Sequence, residues 1–230
     1  MGRSADQAHR AAVDLQHGAQ RVTLGPYASY SMITDPKHLC FVLSRYKFCA
    51  KLLHGQPCVL EVGCGDAIGL PLVAQSVGHV FATDQDANII DDNLQRMGFL
   101  RNCTFLRFDP TRGPFQEAGG ALDAVYLLDV IEHVEPSLEA SLMDNLAASV
   151  RRGGVCIVGT PNADAAKHAS PQSQVGHINL KSHAGLLALM QRRFETSFLF
   201  SMNDEVVHTG FYPMAHYFVA VGVGPTIRPA

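Results

Sequence analysis

Two carboxylates and two glycines lie within or just after one short apolar run near residue 60, in the sequence VLEVGCGDA (59–67). The apolar residues of this run predict a buried strand of a parallel sheet. Gly63 and Gly65 would let the backbone turn tightly and approach a ligand, because glycine has no Cβ. The carboxylates of Glu61 and Asp66 beside that turn could bind a cationic or hydrogen-donating group. This combination is typical of a site that holds a nucleotide-like cofactor.

A second apolar run, HVFATDQD, ends at Asp84, whose carboxylate could accept hydrogen bonds from both hydroxyls of a ribose. An acid in this place is also typical of dinucleotide-binding folds. Their G-x-G-x-x-G pattern fits the chain only with a shift, because the glycines here are Gly63, Gly65 and Gly69. The acid before the first glycine, Glu61, is not part of that pattern, so the spacing argues against a dinucleotide.

Five segments, in register along the chain, resemble those of class I S-adenosylmethionine-dependent methyltransferases. They are VLEVGCGDA, ATDQDANII, LRFDPTRGPF, LDAVYLLDVIEHVEP and RRGGVCIVGTPN, and the resemblance spans roughly residues 51–223. It implies an α/β, Rossmann-like, seven-stranded sheet with six parallel strands, one antiparallel strand and helices on both faces. The branch implied is that of small-molecule, ubiquinone-pathway-like O-methyltransferases. Ala67 stands where many relatives have a third glycine, and a small side chain should be tolerated there.

The resemblance implies S-adenosyl-L-methionine as cofactor and S-adenosyl-L-homocysteine as its product. Glu61 or Asp66 would meet the methionine amino group, Asp84 would accept the ribose hydroxyls, and Asp109 would accept the adenine amino group. The other cofactor-binding residues that it implies are Gly63, Gly65, Gln85, Phe108 and Asp129. Taken singly, Asp84 could equally be a helix N-cap and Asp109 part of an Asp-Pro turn.

The apolar pattern also predicts the elements that would position these residues. Strands are predicted at 58–62, 79–83, 103–107, 123–128, 154–159, 196–201 and 216–222, and helices near 69–76, 87–96, 137–150 and 182–192. Residues 1–25 are polar and are predicted to form a flexible tail. A single methyltransferase domain would follow over 26–230, with a lead helix over 35–53 and a cofactor-binding half over 54–160.

Two long polar segments, 160–181 and 202–214, are predicted to be substrate loops that close over the acceptor. Methyl transfer depends mainly on alignment for in-line attack, and a base helps when the nucleophile is a hydroxyl. The candidate bases are His133, His177 and His208, although His133 could equally have a structural role. Candidate substrate-binding residues are Asn179, Asp204 and Glu205.

The segment DVIEH contains Asp129, Glu132 and His133. Its spacing resembles the E-x-x-E-H of small-RNA 2′-O-methyltransferases and of ubiquinone-pathway O-methyltransferases, in which those residues can hold a divalent cation. His177 would then be the distal ligand. Asp129 replaces the first glutamate and shortens the reach, and such a mixed ligand set is not diagnostic of one metal. We therefore assign no metal ligands from the sequence.

Composition narrows the choice of partners. The net charge of −3 over 230 residues gives no electrostatic footprint for nucleic acid. The six cysteines form no C-x-x-C pair and are interpreted as reduced residues of a cytoplasmic protein. The polar N-terminus predicts no signal peptide, and no apolar run approaches the length of a membrane span. The expected partner is a small-molecule substrate, and the expected state is a monomer or homodimer.

The leading functional prediction is transfer of a methyl group to a small-molecule acceptor, at a hydroxyl oxygen, with general-base assistance. One alternative is an RNA or protein methyltransferase of the same fold, with or without metal assistance. An RNA enzyme would need a positive groove, which the charge balance does not indicate. A further alternative is a non-catalytic cofactor-binding module, but the intact cofactor motif argues against it.

Overall fold

The structure is a computed structural model that describes residues 4–18, 21–120, 122–168 and 176–226. Its framework is one mixed sheet of eight strands. They are β1 (Cys58–Val62), β2 (His79–Asp84), β3 (Cys103–Arg107), β4 (Leu122–Leu128), β5 (Val150–Pro161), β6 (Phe194–Asn203), β7 (Val206–His208) and β8 (Tyr217–Pro225). Their order across the sheet is β3-β2-β1-β4-β5-β8-β6-β7.

The first five strands pair in parallel, whereas β8 runs antiparallel to both β5 and β6. The α/β, mainly parallel architecture is therefore confirmed, but the count of seven strands with one antiparallel strand is wrong. The additional strand, β7, forms an antiparallel hairpin with β6. Pairing of Asn203 with Val206 leaves a two-residue turn, in which Asp204 adopts a φ of 48°. Aspartate tolerates this left-handed conformation better than most residues.

Seven α-helices accompany the sheet in the described ranges. They are α1 (Ala5–His17), α2 (Pro26–Thr34), α3 (Pro36–Leu52), α4 (Leu70–Ala74), α5 (Ala87–Arg96), α6 (Glu139–Ser149) and α7 (His183–Gln191). Helix α1 lies within the segment predicted to be a flexible tail, and Ser4 and Gln7 form a capping box at its start. Its side chains are almost all exposed. Apolar periodicity predicts helices that bury one face. Because α1 buries almost none of its surface, the apolar pattern of the sequence did not predict this helix.

Helices cover both faces of the sheet, as predicted, and alternation along β1 shows why. Val59 packs on the face that carries α3 and α4, whereas Leu60 and Val62 pack on the face that carries α6 and α7. The central strands are therefore buried from both sides, as is typical of parallel sheets. The segments that follow β1 to β5 all leave the sheet at the carboxyl edge, which is where such folds bind ligands.

All six cysteines are free, and Cys49, Cys64 and Cys156 are buried in the core. Burial raises the pKa of each of these three thiols. They are therefore protonated core residues rather than reactive thiolates. Within the ranges that the structure describes, no helix combines the length and apolarity that a membrane crossing requires.

Candidate functional site

The turn after β1 has no room for a side chain at Gly63. Its φ is +72°, and a Cβ at this position would overlap Cγ2 of Val130. Gly65 also has a positive φ of +49°, and the ring of Tyr27 lies across it. Ala67 is buried with a φ of +58°. The alanine is accommodated as predicted, but its left-handed backbone costs roughly 1–2 kcal/mol.

Glu61 supports this turn from inside the protein. The residue is 1% exposed, and the hydroxyl of Tyr46 donates a 2.6 Å hydrogen bond to its Oε1. Burial raises the pKa of Glu61 to about 7, although the hydrogen bond opposes that shift. Among the described residues, Oε2 has no hydrogen-bond partner. The geometry favours a supporting role over the direct contact with an amino group that the sequence predicts.

Asp66 holds α2 against the turn. Its Oδ2 accepts a 2.7 Å hydrogen bond from the backbone N–H of Ala28, and the residue is 5% exposed. A Cβ at Gly25 would overlap Cβ of Asp66, so the chain before α2 lies directly on this aspartate. Arg96 donates hydrogen bonds to the carbonyl oxygens of Asp66 and Thr23, at 3.2 and 3.4 Å. The predicted cofactor residue Asp66 is therefore engaged by the protein itself.

Asp84 lies beside the turn with both carboxylate oxygens oriented by the backbone. Oδ2 accepts a 3.1 Å hydrogen bond from Gly65 N–H, and Oδ1 accepts one of 3.0 Å from Asp86 N–H. The N-cap of α5 is Asp86, which accepts from Asn88 N–H at 2.9 Å. Asp84 is therefore not the helix cap, and its remaining lone pairs are available to a ligand.

The predicted adenine-side residues lie together around one open cavity of about 510 Å³. Its lining consists of Gln85, Arg107, Phe108, Asp109 and Arg112. The carboxylate of Asp109 accepts hydrogen bonds from Thr111 N–H and Oγ1, at 3.0 and 2.6 Å, and pairs with Arg112 at 2.9 Å. Burial raises the pKa of Asp109, but these contacts outweigh it, so the pKa lies below its ordinary value. Asp109 thus both stabilises the local turn and lines the cavity.

Asp129 directly follows β4, has a strained backbone and pairs with a residue of α3. Its φ is +57°, and its Oδ2 lies 2.6 Å from Nη1 of Arg45. The guanidinium of Arg45 also stacks 3.8 Å above the ring centroid of Tyr217. The next residue, Val130, packs against Gly63. Asp129 is therefore adjacent to the turn after β1, as predicted for a cofactor residue, while its partner Arg45 was missed.

Glu132, His133 and His177 form a cluster whose possible ligand atoms all lie within 4.8 Å of one another. Glu132 is fully buried, and Thr160 Oγ1 donates a 3.0 Å hydrogen bond to its Oε2. Burial, followed by the charge of Asp129, raises the pKa of Glu132 to about 8. The rings of His133 and His177 meet edge to face, with centroids 5.0 Å apart.

The two histidines are suited to accept a proton. Nδ1 of His133 lies 2.8 Å from the carbonyl oxygen of Gly176, so in the neutral ring Nδ1 carries the hydrogen and Nε2 is the free base. Burial, with a smaller contribution from His133, lowers the pKa of His177. His177 is therefore neutral near pH 7 and able to act as a base.

This geometry agrees with what comparison with known proteins finds. Residues 60–156 match the family described as methyltransferase domain. The chain has the class I methyltransferase fold. No curated protein sequence matches it.

Three solved structures illustrate the likeness. The methyltransferase domain of bacterial CtHen1-C superposes with a TM-score of 0.66 at 14% identity, over 83% of this chain and 100% of that one. N-methyltransferase NodS from Bradyrhizobium japonicum, in complex with S-adenosyl-L-homocysteine, superposes with a TM-score of 0.61 at 14% identity, over 85% of this chain and 91% of that one. Small RNA methyltransferase HEN1 gives 0.66 at 13% identity, over 83% of this chain and 26% of that one. Identities this low show the fold alone.

Within the methyltransferase fold, Asn179 is buried and links neighbouring segments through hydrogen bonds, so its side chain is not free to contact a substrate. Its backbone N–H and that of Ile178 donate to the carbonyl oxygen of Glu132 at 2.9 Å. Its side chain donates to Glu139 at 2.9 Å and accepts from Lys181 at 2.6 Å. Asn179 therefore fixes the segment that carries His177. Residues 169–175 of the predicted substrate loop 160–181 lie outside the described residues.

The other predicted substrate residues lie in the β6–β7 hairpin, which occupies part of the predicted loop 202–214. Asp204 and Glu205 are the exposed residues of its two-residue turn. His208 uses both ring nitrogens there, with Nε2 3.0 Å from Asn203 Oδ1 and Nδ1 accepting from Gly210 N–H at 2.9 Å. In the described ranges, no hydrogen bond or ring contact joins His208 to His133 or His177. These contacts give His208 a structural role in the hairpin, and that role does not require it to act as a base.

The attachment of α2 to the methyltransferase fold predicts a specific effect of Asp66→Ala. The substitution leaves the buried N–H of Ala28 without its acceptor, which costs about 1–2 kcal/mol. We expect faster hydrogen exchange over residues 26–34, measured by mass spectrometry. Asp66→Asn keeps an oxygen acceptor and should retain protection. Equal exchange in the parent and Asp66→Ala would show that this bond does not hold α2.

Proposed function

We propose that the protein is an S-adenosyl-L-methionine-dependent methyltransferase that methylates a small-molecule acceptor at a hydroxyl oxygen. The observation that carries the proposal is the position of the His133–His177 pair on the segments after β4 and β5. The Gly63–Gly65 turn follows β1, the strand next to β4, at the same edge of the sheet. A methyl donor at the turn would thus have a neutral base on the side that faces β4 and β5.

The strand order supports one orientation of the cofactor. The adenine would enter the cavity of Gln85, Phe108 and Asp109, and the ribose hydroxyls would donate to Asp84. The methionine end would then cross the turn after β1 toward Asp129 at the end of β4. When bound, the cofactor supplies a methyl group activated by its sulfonium.

The residues after β4 and β5 would handle the proton of the acceptor. With the cofactor bound, the acceptor oxygen would take the methyl group, and S-adenosyl-L-homocysteine would leave with the electron pair of the carbon–sulfur bond. The hydroxyl proton passes to Nε2 of His133 or to a nitrogen of His177. The lowered pKa of His177 keeps it in the proton-accepting form near pH 7. The net charge of −3 supports a small acceptor over RNA, whose phosphates attract basic surfaces.

Metal-assisted methyl transfer, with a divalent cation bound at the same cluster, is the second candidate function. The ligand atoms of Glu132, His133 and His177 favour it. Among the described residues, Oε1 of the buried Glu132 has no hydrogen-bond partner, so the donor set fits a cation. Asp129 is paired with Arg45 and lies outside that set. When bound, a cation would lower the pKa of an acceptor hydroxyl. Glu132, whose pKa is about 8, would release its proton on metal binding.

The proposal is tested by titration calorimetry with S-adenosyl-L-homocysteine and by transfer of labelled methyl groups. The acceptor panel contains phenols, sugars, amines, a short RNA and a peptide, each assayed with Mg²⁺, Mn²⁺ or a chelator. We expect micromolar binding and labelling of a hydroxyl compound. If only the RNA or the peptide is labelled, the acceptor is a macromolecule and not a small molecule. If the folded protein does not bind the cofactor, the methyltransferase assignment is excluded.

Replacement of the base has a separate expected effect. His177→Gln should lower methyl transfer by about 100-fold, because proton removal by a positioned base contributes at least that much. The affinity for S-adenosyl-L-homocysteine should stay unchanged, since the histidine faces the acceptor. The control His54→Gln alters an exposed histidine that follows α3. An unchanged rate in His177→Gln, measured at saturating cofactor, would assign the base to His133 or to a bound metal.

A further inference from the structure

We infer that Phe211, Tyr212 and Met214 form the surface that binds the acceptor, and that they select an acceptor with a flat apolar body beside its hydroxyl group. This inference rests on the proposed function and assigns the acceptor contacts of the loop 202–214 to its apolar residues. The supporting features are the exposure of these side chains, the firm support of their segment, its position beside His177 and the lack of free polar groups on it.

Large apolar side chains are exposed together on this segment. Phe211 is 69% exposed, Tyr212 is 43% exposed and Met214 is 71% exposed. The ring centroids of Phe211 and Tyr212 lie 6.1 Å apart, so the two rings form one surface. Ile178, the neighbour of His177 in the chain, is also exposed. Single exposed apolar residues are normal, whereas a group of them beside a candidate active site indicates a binding surface.

The backbone of this segment is held in place, so the exposure does not result from a loose loop. Tyr212 begins a short helical turn, in which the N–H of Ala215 donates a 3.0 Å hydrogen bond to its carbonyl oxygen. Nδ2 of the buried Asn162 donates a 2.8 Å hydrogen bond to the carbonyl oxygen of Ala215. The ring of Tyr212 stacks on that of His183, with centroids 3.9 Å apart and planes 21° apart. The apolar surface is therefore preorganised, which lowers the entropy cost of binding a ligand.

The segment lies beside the one that carries His177, because Asn162 joins the two. Asn162 directly follows β5, and its N–H donates a 3.0 Å hydrogen bond to the carbonyl oxygen of His216. Asn162 also forms a parallel bridge with Lys181, which follows His177 by four positions. An acceptor whose hydroxyl meets His177 would therefore extend its body over the apolar surface.

The polar side chains around this surface are engaged by the protein itself. Nδ2 of Asn203 donates a 2.9 Å hydrogen bond to the carbonyl oxygen of Met214. His208 and Asn179 likewise use their polar side-chain atoms within the fold. Over residues 211–214, the exposed side chains are apolar apart from one tyrosine hydroxyl. A ligand there gains affinity by burying apolar area, whereas a sugar would leave most of its hydroxyls without partners.

Two properties of the site favour a flat apolar body. His183 covers one face of the Tyr212 ring, and the exposed part of that residue offers a flat ligand a stacking surface. A hydroxyl on an aromatic ring also has a pKa of about 10, as in tyrosine, so a neutral histidine takes its proton more readily than that of a sugar hydroxyl.

The test measures binding of two hydroxyl compounds by titration calorimetry at saturating S-adenosyl-L-homocysteine. The probes are 2-naphthol, which is flat and apolar, and methyl glucoside, which is not. The variant is Phe211→Ala, and Phe198→Ala on β6 is the matched control, because it removes another exposed phenylalanine ring. We expect Phe211→Ala to weaken 2-naphthol by about 10-fold and Phe211→Leu to restore most of that loss. Phe198→Ala should change the affinity by under about 2-fold, and all variants should bind S-adenosyl-L-homocysteine as the parent does.

The outcomes separate this inference from the proposed function. Equal affinity of the parent and Phe211→Ala for 2-naphthol would overturn the inference, as would an equal loss in Phe198→Ala. The parent protein gives a second measure that does not depend on folding of a variant, because it should bind 2-naphthol in preference to methyl glucoside. The reverse preference, or binding of S-adenosyl-L-homocysteine without binding of 2-naphthol, would overturn the inference alone. Absence of S-adenosyl-L-homocysteine binding by the folded parent would overturn the proposed function as well.

Discussion

Asp84→Asn is expected to weaken S-adenosyl-L-homocysteine binding by about 100-fold. A hydrogen bond to a charged group contributes roughly 1.5–3 kcal/mol, and the ribose offers two hydroxyl donors to this carboxylate. The asparagine amide removes the charge and presents a donor to one hydroxyl. The two backbone donors use different oxygens of Asp84, so the asparagine, with one carbonyl oxygen, loses either the bond from Gly65 in the turn after β1 or the local bond from Asp86.

The neighbouring Asp86 provides the matched control. Asp86→Asn removes the same charge two residues away and keeps a good N-cap for α5, since asparagine caps helices as well as aspartate does. Calorimetry should therefore give an affinity close to that of the parent. If the two variants bind equally well, the ribose does not meet Asp84, and the orientation proposed for the cofactor fails.

Sequence reasoning succeeded where the signal is local, at the end of a strand or in the turn that follows it. Gly63 and Gly65 have the positive φ angles that their spacing indicates, and Asp84 lies beside them. Strand positions could be predicted because apolar alternation reports burial directly, and β1 has the predicted bounds. The strand β7 was missed because three residues are too few to show a pattern.

The contacts that sequence reasoning missed join distant parts of the chain. Arg45 and Asp129 are 84 positions apart, and Ala28 and Asp66 are 38 apart. No local pattern reports such pairs. The one available signal was the position of Arg45 within the mostly apolar sequence FVLSRYKF, where a charged residue on a buried face requires a partner. The role of Asn179 was missed for the same reason, because its polar type indicates a site but not which partners satisfy it.

Glu61→Gln is expected to remove a large part of the pH dependence of stability. Below its ordinary pKa of 4.5, Glu61 is protonated in both the folded and the unfolded chain. As pH rises from there to about 7, the unfolded chain releases the proton while the folded chain keeps it, so the free energy of unfolding falls. One unit of pKa corresponds to about 1.4 kcal/mol, so the loss in the parent amounts to roughly 3 kcal/mol.

Urea unfolding at pH 5 and pH 8 measures this difference. Glutamine cannot ionise and still accepts the hydrogen bond from Tyr46. Between pH 5 and pH 8 the stability of Glu61→Gln relative to the parent should therefore rise by roughly 2.5 kcal/mol, since a small part of the loss in the parent has already occurred at pH 5. Glu132 contributes with the same sign in both proteins, because its pKa is also raised, and it cancels from the comparison. Tyr46→Phe removes the hydrogen bond that lowers the pKa of Glu61, and it should extend the decline in stability to higher pH. Parallel pH profiles for the parent and Glu61→Gln would show that Glu61 is ionised in the folded protein, and a charged carboxylate beneath the turn could then meet the ammonium group of the cofactor directly.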